Sequence, residues 1–527
     1  MRGPTTLEGA MDARQMALRM LGASTLGLLL LMQGCASLPS LAGRPASSSV
    51  APAHDSRLGR AIVPLTEAHP DRSGIVPLKR GRDAFATRVL LADAAERSID
   101  VQYYIWRADL SGTLLIEALR RAAARGVRVR LLLDDANTSG LDGPLAALAA
   151  LPNVEVRLFN PFPGRGSRAL GYLLDFERLN RRMHNKSFTA DNLATVVGGR
   201  NVGDEYFEAG GDVLFVDLDA LAIGPVVGAV SREFDQYWAS DSAYPAERIV
   251  APIDASASVA LDASAAKVEQ GVEAAEYRAM LAESPLIRDL LADRLAFEWS
   301  AVKMVSDDPA KGLGRESTDQ LLWTRLKAAT TPPSRAFRLL SPYFVPGEQG
   351  TADLAAMARR GVKVQILTNS LESTDVVPVH AGYAKRRKDL LEAGVVLYEA
   401  KRESSEPRQS RGGSKGVSGS SLHAKTFALD DSLVFIGSFN FDPRSAKLNT
   451  EMGFVIESPT LAGQIAEGFE TVVPERAYRV RLASDGGLEW IERIDGKEVV
   501  HQDEPGATPM KKMGVSILSW LPIEWLL

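Results

Sequence analysis

One polar pattern occurs twice in this chain, 239 residues apart, and it constrains the fold more than any other feature. His184-Asn185-Lys186 is followed after four residues by Asp191, then by Gly198, Gly199, Arg200 and Asn201. His423-Ala424-Lys425 is followed at the same spacings by Asp430, Gly437, Ser438, Phe439 and Asn440. Both copies read H-x-K-x4-D-x6-G-(G/S)-x-N. A lone H-x-K-x4-D turns up in on the order of one chain in a hundred and reads as a polar strand–turn–strand. Two copies that share their Gly and Asn do not arise that way.

The flanks repeat as well. Ser98–Trp106 is strand-like, Thr113–Arg125 has helical spacing, Gly126 ends that helix, and Val127–Asp135 is a second apolar strand. In the second half Ala336–Val345, Ala352–Arg360, Gly361 and Val362–Thr368 run through the same series. Arg125-Gly126-Val127 and Arg360-Gly361-Val362 align at an offset of 235. Strands alternating with helices predict an α/β layered domain in each half. The region of about Ser240–Thr331 is rich in Ala, Glu and Arg and reads as helices, with one strand near Phe297–Val305. Lys401–Ser421 is rich in Ser, Gly and basic residues and reads as a mobile loop.

At 527 residues the chain exceeds the roughly 250–300 that one core supports, as a duplication requires. The net charge of -5 argues against nucleic-acid partners, whose phosphates call for a basic surface. The single cysteine rules out an intramolecular disulfide and cysteine-based metal cages. Its position is informative: Arg14 and Arg19 precede an apolar stretch from Leu21 to Met32, and Gln33-Gly34-Cys35 closes it. That is the form of a secretory signal, with a start at Met11 or Met16. The Pro, Ser and Ala run from Ala36 to about Ala53 reads as a flexible tether.

His and Lys two apart on a strand project to the same face, so two copies brought together surround one centre with two His, two Lys and two Asn. Imidazole supplies a nucleophile near neutral pH, while ammonium and amide groups hold phosphate oxygens. With lysines in that role the chemistry needs neither metal nor cofactor. Asp212 lies 28 residues beyond His184, and Glu451 lies 28 beyond His423. Both are candidates to accept a hydrogen bond from an imidazole and orient the ring. Within the His–Lys–Asp motif, Asp191 and Asp430 read as structural residues that pin the following turn.

These residues resemble the signature of the phospholipase D superfamily, over about Ser73–Thr471. Finer matches, Asn180–Lys186, Gly198–Phe207, Phe439–Ser445 and Thr368–Leu371 with Asp375, His380, Gly382 and Tyr383, are similar to its bacterial cardiolipin synthase branch, of the C type. The resemblance implies a duplicated phospholipase D-type α/β fold, two mixed β-sheet domains flanked by helices, with the active site at the pseudo-twofold interface. It divides the chain into a signal (1–35), a tether (36–72), a first domain (73–245), a helical inter-domain region (246–331), a second domain (332–471) and a tail (472–527). It implies His184, Lys186, Asp191, His423, Lys425 and Asp430 as the catalytic motif, with Gly199, Asn201, Ser438, Asn440, Asp212 and Glu451 binding phosphate or orienting. One histidine attacks phosphorus and forms a phosphatidyl-histidine; the other protonates the leaving alcohol and then deprotonates the acceptor. His184 is assigned as nucleophile and His423 as acid/base. The substrates implied are phospholipids at a membrane surface, phosphatidylglycerol and also phosphatidylethanolamine, with a lipid alcohol or water as acceptor and no nucleic acid. The segment ending at Cys35 resembles a bacterial lipoprotein signal, although Met32 stands where Leu is usual. It places the protein in the cell envelope, facing the periplasm.

Three other histidines, His54, His69 and His501, read as solvated. His380 either lines the headgroup pocket or caps a helix. The tail Val515–Leu527 either dips into a bilayer interface or packs on the domain.

Overall fold

The computed structural model describes residues 38–165, 168–209, 213–291, 294–404, 419–521 and 524–527. The signal segment with Cys35, Asp212 and most of the basic loop lie outside them.

In chain order the first half contributes β1 (Ser73–Leu78), β2 (Ser98–Ile105), β3 (Arg128–Asn137), β4 (Val154–Phe159), β5 (Ser187–Ala190), β6 (Ala194–Gly198), β7 (Val213–Val216), β8 (Asp219–Ile223), β9 (Ala243–Pro245) and β10 (Glu298–Ser300). The second half contributes β11 (Val302–Ser306), β12 (Ala336–Leu340), β13 (Lys363–Asn369), β14 (Val396–Ala400), β15 (Glu403–Ser404), β16 (Gly419–Leu422), β17 (Lys425–Leu429), β18 (Leu433–Gly437), β19 (Met452–Glu457), β20 (Ala477–Leu482), β21 (Leu488–Ile494) and β22 (Lys497–His501). Two large mixed sheets result, ordered β10-β1-β8-β6-β5-β2-β3-β4-β9 and β11-β19-β18-β17-β12-β13-β14-β20-β21-β22. The run β8-β6-β5-β2-β3-β4 corresponds strand for strand to β19-β18-β17-β12-β13-β14. In each, three parallel strands continue into antiparallel ones. This is the expected duplicated α/β fold.

The local causes are the ones the repeat implies. The helix Leu110–Ala124 starts where the Asp109 side chain accepts from Gly112 N, and it ends at Gly126, whose φ of 91° needs no Cβ to accommodate. Gly361 ends the matching helix Gly347–Arg359 with the same φ of 91°.

The halves are joined by an apolar core. Ile75, Val197, Ala220, Val226 and Val230 of the first pack with Ala428, Val434, Ile436, Met452, Phe454 and Ile456 of the second. A third, small sheet, β15-β16-β7, also crosses between them.

Three segments differ from the sequence expectation. Residues 38–50 are not a free tether. Buried arginines and other side chains hold their carbonyls, with Arg130 on Ser47 O (3.2 Å), Arg157 on Pro45 O (2.5 Å) and Asn192 on Val50 O (2.9 Å). An extended Pro-containing strip leaves its carbonyls free, and these guanidinium and amide groups use them. Arg57–Glu67 of the same stretch is a helix. The inter-domain region is helical over Ala255–Gln270, Val272–Ala282 and Pro285–Leu291, but its end is divided between the sheets: β10 pairs with β1, and β11 with β19. The tail begins later than expected, because β20–β22 extend the second sheet by antiparallel pairing from β14.

Candidate active site

Each motif sits in an extended segment entering a hairpin, β5–β6 or β17–β18. His184 and Lys186 both precede β5 while Lys425 opens β17, so of the two triplets only Lys425 meets the ladder. The alternation still directs His and Lys to one side. All four are buried. The Lys186 ammonium donates to His184 O (2.5 Å), and the Lys425 ammonium to His423 O.

The ends of the parallel strands lock the residue ahead of each histidine. Asp134, at the end of β3, accepts from Met183 N (2.8 Å) and from the Arg182 guanidinium. Asn369, at the end of β13, accepts from Leu422 N (3.0 Å) and donates to Leu422 O (2.9 Å).

The histidines then cross the pseudo-twofold axis. His184 Nδ1 hydrogen-bonds Glu451 Oε2 at 2.8 Å, and His423 Nδ1 hydrogen-bonds Asp217 Oδ2 at 2.5 Å. The backbone is clipped in the same crossed sense: His184 N donates to Thr450 O (2.9 Å) and His423 N to Val216 O (2.8 Å). Each acceptor is the residue immediately before the carboxylate. Each half therefore supplies a histidine and the other half's carboxylate.

Glu451 stands where equal spacing places it. Asp212 lies outside the described residues, and the carboxylate on His423 belongs to Asp217. Strand register gives the true correspondence. Gly199 N donates to Leu218 O (3.1 Å) as Ser438 N donates to Met452 O (2.9 Å), which makes Asp217 the counterpart of Glu451. From the Gly/Ser position to the carboxylate the first half is five residues longer; both connections hold a short helix, Asp204–Phe207 or Pro443–Lys447, and only the first adds the strand β7. Val213–Asp217 already shows the signal: an apolar run ending in an acid, directly before the next strand.

At the Gly/Ser position the halves diverge. Ser438 Oγ donates to Glu451 Oε2 (2.5 Å), whereas a Cβ on Gly199 would strike the Asp217 carboxylate. Asn201 accepts from Ile105 N through Oδ1 (3.2 Å). Among the described residues its buried Nδ2, like Asn440 Oδ1, has no hydrogen-bond partner, which suits groups that face a ligand. Tyr104 sits edge-on to His184 (5.0 Å) and Tyr206 edge-on to His423 (5.2 Å).

Asp191 and Asp430 lie at the far ends of the hairpins. Asp191 accepts from Glu96, Arg97 and Ser98 N; Asp430 accepts from Ser334, Arg335 and Ala336 N. Both have positive φ, 52° and 50°, as does the residue after each. Their carboxylates pin the turn to the entry of β2 or β12, and neither bonds an imidazole.

Sequence reasoning passed over a second layer. Asp307 accepts from Glu451 N (2.9 Å) and pairs with the buried Lys311 (3.0 Å), whose ammonium also donates to Ser445 O. On the other side Arg200 donates to Asp217 O (2.5 Å). His380 is buried beside Arg387 (2.6 Å) and Glu504 (3.3 Å), tying the helix Val377–Ala384 to the tail. His69 stacks on Trp299 (4.1 Å) and His501 bonds Glu492 (2.9 Å), so of the three only His54 is exposed.

Burial sets the electrostatics. It drives His184 well below the ordinary imidazole value, assisted by Lys186 and Lys425, and His423 down to about 4. Lys186 falls well below the ammonium range and Lys425 to about 8, both through desolvation, with nearby carboxylates resisting. Burial lifts Glu451 to about 7 against Lys186, while at Asp217 the same penalty is outweighed by His423 and Lys425, which hold it below the usual range. An anionic phosphodiester among these groups would restore the charge balance that burial opposes.

A duplicated mixed α/β fold whose halves exchange carboxylates across paired His–Lys motifs defines an enzyme of the phospholipase D type. Residues 90–238 and 322–473 match the family described as cardiolipin synthase, phospholipase D-like domain, and the chain belongs to that family. Among its relatives, cardiolipin synthase C of Escherichia coli (strain K12) is 49% identical over 473 residues, covering 89% of this chain and 100% of the relative. A cardiolipin synthase of Geobacillus thermodenitrificans is 27% identical and covers 77% of this chain and 69% of the relative. Among solved structures, phosphatidylserine synthase of Haemophilus influenzae shares the fold, with a TM-score of 0.52, 14% identity, and 89% and 100% coverage.

Proposed function

We propose that this protein is a phosphatidyltransferase that makes cardiolipin, using one phospholipid as donor and the alcohol of another as acceptor. The observation that carries the chemistry is the pair of crossed His–carboxylate dyads with a lysine beside each. Identity to cardiolipin synthase C along that relative's full length supports the product.

Glu451 orients the His184 ring through Nδ1, leaving Nε2 to attack the phosphodiester phosphorus. The headgroup oxygen leaves with a proton from His423, whose imidazolium Asp217 stabilises as an ionised neighbour. The resulting phosphatidyl-histidine is attacked by a lipid hydroxyl that His423 deprotonates. Lys186, Lys425 and the amide N–H groups of Asn201 and Asn440 hold the non-bridging oxygens as charge builds. Phosphatidylglycerol is the donor we assign, with phosphatidylethanolamine as a second.

Incubating purified protein with phosphatidylglycerol, with and without phosphatidylethanolamine, tests this. Cardiolipin and released glycerol or ethanolamine are expected; phosphatidic acid alone would show a hydrolase.

We also place the protein in the bacterial envelope, anchored by lipid on Cys35 and facing the periplasm. Among the described residues no helix is long and apolar enough to cross a membrane. Unchanged anchoring and processing in Cys35→Ser would refute the lipid anchor.

A further inference from the structure

Two exposed apolar segments lie at the strand ends that lock the catalytic histidines. In the second half, the helix Pro509–Leu518 packs one side on the helix Val377–Ala384, with Gly514 against Val377. Its other side shows Met510, Met513 and Ile517 to solvent, and the stripe continues into Trp520 (88% exposed) and Leu521. Steps of three and four place these side chains in one line. Lys511 secures the helix by donating to Leu371 O (2.9 Å) and Thr374 O (3.3 Å), in the loop that leaves β13 just past Asn369.

In the first half, the helix Arg168–Leu174 and Phe176 expose Leu170, Leu173 (82%), Leu174 and Phe176. This segment is tied to the end of β3 by Arg168, which donates to Ala136 O (3.0 Å), two residues from Asp134. Arg444, four residues beyond Asn440, links the residues that follow each segment: its guanidinium donates to Asn180 Oδ1 (2.8 Å) and Leu526 O (3.2 Å), and its amide donates to Leu527 O (2.8 Å).

Soluble surfaces seldom leave this many large apolar side chains grouped and uncovered. We propose that the stripe Met510–Leu521 and the segment Leu170–Phe176 together form a docking face for the interface of a phospholipid bilayer, presenting the crossed dyads to lipid. The inference rests on the phospholipid substrate reading, since such substrates reside in a bilayer and must enter where both halves offer apolar side chains. An interfacial helix has this form, with an apolar stripe outward and its polar anchors behind.

The test uses full-length protein and vesicles of phosphatidylglycerol and phosphatidylethanolamine. Hydrogen exchange of residues 168–176 and 509–521 should slow when vesicles are added. Ile517→Glu with Trp520→Glu, and separately Leu173→Glu, should lower turnover on vesicles about tenfold or more while keeping turnover of monomeric short-chain phosphatidylglycerol within about twofold. Equal losses on both substrates, or no vesicle protection in the wild type, would overturn the proposal. A changed oligomeric state in the variants with vesicle protection unaltered would assign the face to a second copy, and also overturns it. If the wild type turns over neither lipid, the functional reading fails alone; exchange protection by vesicles then still supports docking, and its absence refutes it.

Discussion

At the residue scale, the two dyads are alike in geometry and unlike in charge. Asp217 is held below the carboxylate range by His423 and Lys425 despite its burial, whereas burial raises Glu451 to about 7. The ionised Asp217 raises the proton affinity of His423 against its burial, which suits His423 as the acid/base once the anionic phosphodiester is bound; His184 has less of that support, which suits a neutral nucleophile. Replacing Asp217 with Asn should lower kcat by about a hundredfold or more with little change in KM, by unsettling the tautomer of His423. A KM-only effect in steady-state kinetics would contradict an orienting role. Lys425, brought down to about 8 by burial, carries the second prediction. As pH rises through about 8 its ammonium loses the proton, the cavity loses a positive charge, and kcat/KM for an anionic phosphodiester should fall. Lys425→Arg keeps its charge at every accessible pH, so the variant, slower overall, should lack that alkaline limb. An unchanged limb would place the titration elsewhere.

Elements decide how these residues meet. The helix ends at Gly126 and Gly361 and the strands on either side were legible because apolar periodicity and a left-handed glycine are local signals. The tether, the strands β20–β22 and the carboxylate Asp217 were not, since each depends on what a distant element offers. Residues 38–50 lie down because buried arginines of the first sheet reach their carbonyls. Asp217 takes the place expected of Asp212 because the strand β7 lengthens one connection and not the other. Asp307 and Lys311, on the connection leaving β11, belong to the same class. Their buried pair carries the backbone amide of Glu451, so Asp307→Ala should cost about 3–5 kcal/mol by stranding the ammonium of Lys311. Adding Lys311→Met should restore much of the stability in denaturant titrations but not kcat, because Glu451 N still lacks its acceptor. Full recovery of both would reduce Asp307 to a scaffold role.

At the scale of the whole molecule, neither half holds a complete site. The crossed hydrogen bonds from His184 to Thr450 and Glu451, and from His423 to Val216 and Asp217, work only while the apolar core between the sheets is intact. Ile436 is fully buried in that shared core. Ile436→Ala should destabilise the protein by about 2–5 kcal/mol and lower near-ultraviolet circular dichroism and activity in one coincident transition. Two separated transitions would show that the halves fold independently.

The His–Lys–Asp pair, read alone, determined that the fold is duplicated, that two His and two Lys surround one centre, and that the motif aspartates pin turns; phosphodiester transfer was what its resemblance to the phospholipase D signature implied. The residue readings follow from spacing along the chain, because alternation and turn chemistry act over a few residues. Only the tertiary structure decided which carboxylate serves which histidine, and that each crosses to the opposite half. Register between strands, set by hydrogen bonds and by the unequal lengths of two connections, carries that information, and linear spacing does not.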